Sequence, residues 1–159
     1  LPKDRGVINR LGFNSLGHQH VAEILKSQTL TDGLLGVNIG ANKESGDFAA
    51  DFVEGIQVFH DLASYLTINI SSPNTPGLRA LQGTDPLIDL LDRVRSARAK
   101  ASETLKKRTP VFLKIAPDLT EDEMDNISRA LEGSDIDGLI VSNTTVSRSN
   151  LSDRNRSQE

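Results

Sequence analysis

Apolar residues cluster along the chain in two alternating rhythms. Four short runs, 34–39, 65–70, 111–115 and 138–141, are continuous and mostly built of Val, Ile, Leu or an aromatic residue. Runs of that length read as strands buried on both faces, the pattern of a parallel sheet. Between them the spacing changes to the helical one. Phe48, Phe52, Ile56 and Phe59 recur at i+4 and i+3, with Ala49 and Val53 beside them. Leu87, Leu91, Val94, Ala97 and Ala101 do the same in the longest helical segment, introduced by Thr84, Asp85 and Pro86. Thr120 and Glu123 have capping-box spacing ahead of Met124, Ile127 and Leu131. A weaker helix is expected over 15–27, carrying Val21, Ile24 and Leu25.

Helix and strand therefore alternate four times, which predicts right-handed βαβ units and a parallel sheet. Strand starts near 34, 65, 111 and 138 are unevenly spaced, and no internal repeat is visible. Residues 1–146 read as one continuous piece of a domain, and 147–159 as a polar loop or frayed end. The last strand is followed by no helical pattern to cover it. Four strands are half of a (β/α)₈ barrel, which typically needs about 250 residues. A small doubly wound sheet is the alternative, for which an uncovered last strand is awkward.

Composition narrows the function classes. At 159 residues with 36% hydrophobic and 25% charged positions, the chain is globular in character. No apolar run reaches the roughly 18 residues of a membrane span, and no cleavable leader pattern appears. With 18 Lys and Arg against 22 Asp and Glu, the net charge of −4 argues against a nucleic-acid partner. Cysteine is absent, so disulfides, thiolate metal sites and a cysteine nucleophile are excluded from this sequence. His18 and His20 stand two apart with no further ligand nearby, so no metal is expected. His60 is expected to close a helix as a cation, and Lys106, Lys107 and Arg108 to form a solvated helix end. Gly36, Gly40 and Gly46 do not make a dinucleotide fingerprint.

In parallel α/β folds chemistry gathers at the carboxyl ends of the strands. Those ends carry Asn38; Asn69 with Ser71, Ser72, Asn74 and Thr75; Lys114 followed by Asp118; and Ser142, Asn143, Thr144 and Thr145. Asn and Ser beside Pro are ordinary turn formers, and a single strand Asn can simply cap a loop. A lysine at a buried strand end is harder to explain structurally, because an unpaired ammonium is costly to bury. Four successive strands ending this way favour a site over four coincidences. Amides, hydroxyls and one ammonium, with no acid expected among the inner set, suit a planar anionic ligand such as a pyrimidine carboxylate or a flavin ring.

Five motifs then occur in a fixed order: Asn9-Arg10-Leu11-Gly12-Phe13-Asn14, Gly36-Val37-Asn38-Ile39-Gly40, Asn69-Ile70-Ser71-Ser72-Pro73-Asn74-Thr75-Pro76-Gly77-Leu78-Arg79, Lys114-Ile115-Ala116-Pro117-Asp118 and Ser142-Asn143-Thr144-Thr145. Together they resemble dihydroorotate dehydrogenase over essentially the whole chain. Ser72 before Pro73, where class 1 enzymes carry cysteine, and the Asn-Arg-x-Gly-Phe form at the start resemble class 2, the quinone-reducing type.

The resemblance implies a (β/α)₈ barrel holding FMN and oxidising dihydroorotate to orotate in pyrimidine synthesis. It implies Ser72 as the base, Thr75 with an ordered water as its proton relay, and Phe13 packed over the substrate. It implies that Asn9, Asn69, Asn74, Asn143 and Thr144 bind dihydroorotate, with the segment from Arg10 through Leu11 and Gly12 to Phe13 shaping that wall. Asn38, Asn69, Lys114 and Ser142 are implied as FMN contacts, with serine standing at 142 where the family often has threonine. A quinone acceptor and a membrane surface, reached through N-terminal helices absent from this sequence, are the implied partners. The implied location is the cytoplasmic face of a bacterial inner membrane, or the mitochondrial inner membrane in a eukaryote. The family's FMN-phosphate loops have no counterpart here, so these 159 residues alone are expected to be inactive. Another FMN barrel, such as a dihydrouridine synthase or a class 1 enzyme, and a non-catalytic half-barrel are the other readings.

Overall fold

A computed structural model describes residues 1–9, 11–12, 14–28 and 33–152. After a 3-10 turn at Pro2–Asp4, the order is α1 (His18–Ser27), β1 (Gly36–Ile39), α2 (Phe48–Phe59), β2 (Tyr65–Asn69), α3 (Thr84–Leu105), β3 (Val111–Ile115), α4 (Glu121–Leu131) and β4 (Gly138–Val141), with a second 3-10 turn at Leu78–Gln82 between β2 and α3. Local chemistry sets several of these limits. Asp47 caps α2 by accepting from the Ala50 N–H at 3.1 Å. The same carboxylate takes both arms of Arg93 at 3.0 and 2.8 Å, so the start of α2 is fastened to α3. Thr120 and Glu123 form the reciprocal capping box that starts α4.

Two boundaries differ from the sequence expectation. β1 begins at Gly36 rather than 34, because Leu34 is solvent-exposed and only Val37 and Ile39 turn to the core. α1 begins at His18, after Gly17, whose φ of 93° is not helical.

The four strands are parallel and lie in sequence order, β1-β2-β3-β4. A doubly wound sheet reverses its strand order at a switch point, so sequential order is the progression of a barrel. Partners in a parallel pair point to the same side. The register Val37↔Leu66↔Val111 and Ile39↔Ile68↔Leu113↔Leu139 therefore makes one face apolar. That face packs with Phe52, Ile56 and Phe59 of α2, Leu87, Leu90, Leu91 and Val94 of α3, and Ile127 of α4 in one core. Leu139 and Val141 on the same side of β4 are exposed and line a cleft with Met124, Ile127 and Leu131 of α4.

The opposite face is the concave one of a partial barrel. Gly36, Asn38, Tyr65, Thr67, Asn69, Phe112, Lys114, Gly138 and Ile140 share it. Its amino-terminal layer is aromatic. The Tyr65 ring lies across Gly36 and the Phe112 ring across Gly138, and the two rings meet edge to face with centroids 5.5 Å apart. A Cβ at position 36 would stand 2.1 Å from the Tyr65 ring, so glycine is required there by close approach. Gly36→Ala is expected to displace that ring and lower stability by about 1–3 kcal/mol. The test is a lower denaturant midpoint at unchanged slope.

Polar groups at the amino-terminal edge of the sheet correct two of the sequence expectations. His60, just past α2, is fully buried, which disfavours the cation expected there. Its Nε2 accepts from the Thr109 N–H at 3.4 Å and lies 3.2 Å from Ser102 Oγ, while its Nδ1 has no partner. Burial first, and the Lys107 ammonium second, hold its pKa below the ordinary 6.5. Lys107 and Arg108 are not simply solvated either. The Lys107 ammonium donates to the carbonyls of Asp61 and Ala63 at 2.9 and 3.1 Å, and Arg108 pairs with Asp137 at 2.7 Å. The loop before β3 turns back onto the end of α2, which covers His60 and gives Lys107 its carbonyl partners, while Arg108 meets the loop before β4.

Because His60 is depressed only in the folded state, the unfolded chain binds the proton first as pH falls. Stability is therefore present above about pH 6.5 and lost below it. His60→Gln is expected to flatten the stability difference measured between about pH 7.5 and 5.5.

Candidate active site

At the carboxyl edge, the two strands of highest burial deliver the central pair. Asn69 and Lys114 are register partners on the concave face, one layer above Thr67 and Phe112. The Asn69 Oδ1 accepts from both the N–H and the hydroxyl of Ser71, at 3.2 and 2.6 Å. Those two bonds fix the plane of the amide and leave its Nδ2 buried without a partner. Lys114 is half-buried, and its ammonium makes no hydrogen bond or ion pair with the described residues. Asn38, exposed on β1, belongs to the same face. These are unspent donors on one wall.

The loop after β2 carries the hydroxyl chemistry. Ser72 is 3% exposed, and its Oγ accepts from the Asn74 N–H at 3.3 Å. Thr75 sits half-buried in the same turn, its carbonyl accepting from the Leu78 N–H at 3.1 Å, and its hydroxyl is not bonded to Ser72. From the loop after β4, Asn143 donates its side-chain amide to the Ser71 carbonyl at 3.2 Å and its backbone N–H to the Ile115 carbonyl at 3.1 Å. The Ser142 hydroxyl turns back to the Asn143 carbonyl at 3.1 Å. Hydrogen bonds thus link Asn69 to Ser71 and Ser71 to Asn143, joining the loops after β2 and β4 at this edge.

The described residues of the amino-terminal motif make no hydrogen bond to this cluster. Asn9 is exposed and accepts from the Leu11 N–H at 3.4 Å, Leu11 is exposed, and Gly12 adopts φ 64°. Arg10 and Phe13 lie outside the described residues.

The cluster also holds charged groups that sequence reasoning gave no role. Asp118, which the sequence places just past the third strand, is a carboxylate at this edge. It accepts from Arg79 Nη1 at 3.0 Å, from the Thr145 hydroxyl, and from the Val146 N–H at 3.1 Å. Burial pushes its carboxyl up, but the Thr145 hydroxyl, the Val146 N–H and Arg79 together outweigh burial and hold it below the ordinary value. Arg79 also donates to the carbonyls of Ser71 and Thr144. Gln82 adds a further tie, accepting from the Ala116 N–H at 2.8 Å. The signal available in the sequence was an acid three residues past one strand and a base ten residues past another. Among the described residues no group of three metal-ligating side chains exists. His18 instead packs edge-on against Phe59 at 5.5 Å.

Chemically, this edge offers a sheltered hydroxyl, several amides with free hydrogen-bonding capacity and one uncompensated ammonium over an apolar floor. It can hold a flat, electron-rich, partly anionic molecule and present an oxygen to it.

The family model described as dihydroorotate dehydrogenase matches residues 1–159. A protein of Allorhizobium ampelinum named dihydroorotate dehydrogenase (quinone) is 54% identical over 100% of this chain and 44% of its own length. One of the same name from Agrobacterium fabrum is 56% identical over 95% of this chain and 41% of its own. The crystal structure of DHODH from Eimeria tenella in complex with ferulenol superposes with a TM-score of 0.84 at 35% identity, over 99% of this chain and 48% of that one. The chain spans less than half the length of these relatives. Within that span the sequence likeness is continuous and the fold agrees, and the chain belongs to the dihydroorotate dehydrogenase family.

Proposed function

We propose that the protein oxidises dihydroorotate to orotate in pyrimidine synthesis, with FMN as resident cofactor and a quinone as final electron acceptor. The observation that carries this reading is the pair of unspent donors, Asn69 Nδ2 and the Lys114 ammonium, on the wall beside Ser72. The donor set fits FMN: a flavin presents carbonyl oxygens and ring nitrogens that need donors, and a cation favours the anionic form of its reduced ring. Asn38, Asn69, Lys114 and Ser142 are the residues proposed to hold it. Bound there, FMN would supply the acceptor for the hydride leaving C6 of the substrate and the route for the electrons to the quinone.

The chain's own residues do the rest. Ser72 removes the proton from C5 of dihydroorotate. A serine hydroxyl is a weak base unless its own proton leaves and water is kept out. Its burial meets the second need, and the Asn74 N–H steadies the oxygen as it loses its proton. The Thr75 hydroxyl, in the same turn and with no bond to Ser72, takes that proton through a bridging water. Asn143 gives one amide hydrogen to the Ser71 carbonyl, which sets its plane and leaves its oxygen and second hydrogen for the pyrimidine carboxylate. Asn69, Asn74 and Thr144 complete the polar wall, and Asn9 with the segment from Arg10 through Leu11 and Gly12 to Phe13 is proposed to close over the ligand.

A quinone is lipid-soluble, so the protein is proposed to work at a membrane surface, on the cytoplasmic face of the inner membrane in a bacterium. No helix among the described residues is long and apolar enough to cross a membrane; the attachment proposed is peripheral. The test is an anaerobic visible spectrum of the full-length protein before and after dihydroorotate. A flavin that bleaches is expected. One that stays oxidised makes the protein a different FMN barrel, and a colourless protein overturns the cofactor as well.

A further inference from the structure

We propose that Arg79, paired with Asp118, is a positioning residue that clasps the loop carrying Ser72 to the loops after β3 and β4. The inference rests on Ser72 being the base, as proposed above.

The guanidinium divides its donors among three loops. Nε donates to the Ser71 carbonyl at 3.0 Å, Nη1 to Asp118 Oδ2 at 3.0 Å, and Nη2 to the Thr144 carbonyl at 3.4 Å. Ser71 is the residue before the proposed base, and Thr144 follows Asn143 in the proposed substrate wall. Each anchor is itself tied down. The Ser71 carbonyl also receives the Asn143 amide at 3.2 Å. Asp118 receives the Thr145 hydroxyl and the Val146 N–H, so the carboxylate holds the β4 loop as well as Arg79. Gln82 backs the arrangement, donating to the Arg79 carbonyl at 3.4 Å while accepting from Ala116 at 2.8 Å.

Both side chains of the ion pair are 23% exposed, so the pair is sheltered on most sides rather than free on the surface. Only a planar fork with fixed donor directions serves three acceptors in three directions at once, and a lysine ammonium does not reproduce it. Without the clasp, the loop after β2 loses its tie to Asp118 and keeps the Asn143 amide on the Ser71 carbonyl as its tie to the β4 loop. A displacement of about 1 Å of a reacting group is enough to cost roughly a hundredfold in rate.

The experiment uses the full-length protein with FMN bound and the variants Arg79→Lys, Asp118→Asn and the double substitution. Hydrogen exchange is read on segments 71–79 and 142–147, which needs no substrate. Both segments are expected to exchange faster in either single variant, and the double variant no faster than the singles, because one clasp is broken in each. Stopped-flow flavin reduction by dihydroorotate is expected to slow by about 10- to 100-fold. Orotate affinity is expected to change by less than about threefold, since the Asn143 backbone stays bonded to Ile115. A purely structural role would move rate, orotate binding and FMN content together.

Unchanged exchange in both segments overturns the clasp, whatever the rates do. Faster exchange with an unchanged reduction rate overturns the positioning role. If the unaltered protein is not reduced by dihydroorotate at all, the functional reading falls, and coupled exchange of the two segments still decides whether Arg79 joins the loops.

Discussion

Ser72→Ala is expected to slow the reduction of bound flavin by dihydroorotate by about a thousandfold while orotate still binds. General-base catalysis contributes roughly 10²- to 10⁴-fold, and a buried serine that loses its only oxygen has no nearby substitute. The Asn74 N–H, now facing a methyl group, is in an exposed turn and turns to water at little cost. The fold and the Asn69–Lys114 wall are therefore left intact. Anaerobic stopped-flow reduction with a parallel orotate titration separates the two effects. Reduction within about threefold of the unaltered protein removes Ser72 from the role of base. Ser72→Cys makes a useful second variant, because a thiol is a stronger acid than a hydroxyl and keeps a proton acceptor in place. It is expected to retain more activity than the alanine variant, most of it at high pH.

The largest expected loss of stability lies at the other edge of the sheet. Arg98 of α3 is 2% exposed and reaches the carboxylate of Asp137, together with the carbonyl and carboxylate of Asp135. Asp137 also takes Arg108 at 2.7 Å and the Val111 N–H at 2.8 Å. Asp137→Ala leaves a buried guanidinium with half its partners and the first N–H of a core strand with none. A loss of about 3 kcal/mol is expected, the lower end of what breaking a buried pair costs, because Asp135 remains. Asp137→Asn keeps an acceptor for Val111 and is expected to lose less. Burial pushes the Asp137 carboxyl up, but Val111, Arg108 and Arg98 outweigh it and hold the carboxyl below its ordinary 3.8. Its contribution is therefore present above about pH 4 and lost as the pH falls through the lower folded value. Denaturant unfolding at neutral pH and near pH 3.5 tests this, and the difference between the unaltered protein and Asp137→Ala is expected to shrink in acid.

These two edges also show what the sequence could and could not reveal. α2 was legible as a helix, because Phe48, Phe52, Ile56 and Phe59 all face one core. β3 and β4 were legible because their apolar runs end at Lys114-Ile115 and Val141, where polar residues begin. Arg98 was not. It stands on the same stripe as Leu91 and Val94, yet an arginine in a helix that also carries Arg93 and Arg95 reads as solvated until the loop before β4 brings two carboxylates over it. Arg79 and Asp118 were hidden for the same reason, being 39 residues apart and joined only by the register of β2 with β3. Asn69, Ser72, Lys114 and Asn143 needed no such knowledge, since strand ends in a parallel sheet converge by geometry.

Apart from Thr67, the buried polar residues around this sheet gather at its two rims, with apolar layers between. His60, Arg98 and Asp137 occupy one rim, Asn69, Ser72 and Lys114 the other. Damage at the first rim reduces how many molecules survive in the cell, since a loss of 1–2 kcal/mol changes abundance several-fold. Damage at the second leaves the number of molecules intact and lowers what each one accomplishes. A variant screen scoring protein level and turnover per molecule as separate axes should therefore sort missense changes by their height along the strands, and a defect seen on one axis should seldom be rescued by a remedy aimed at the other.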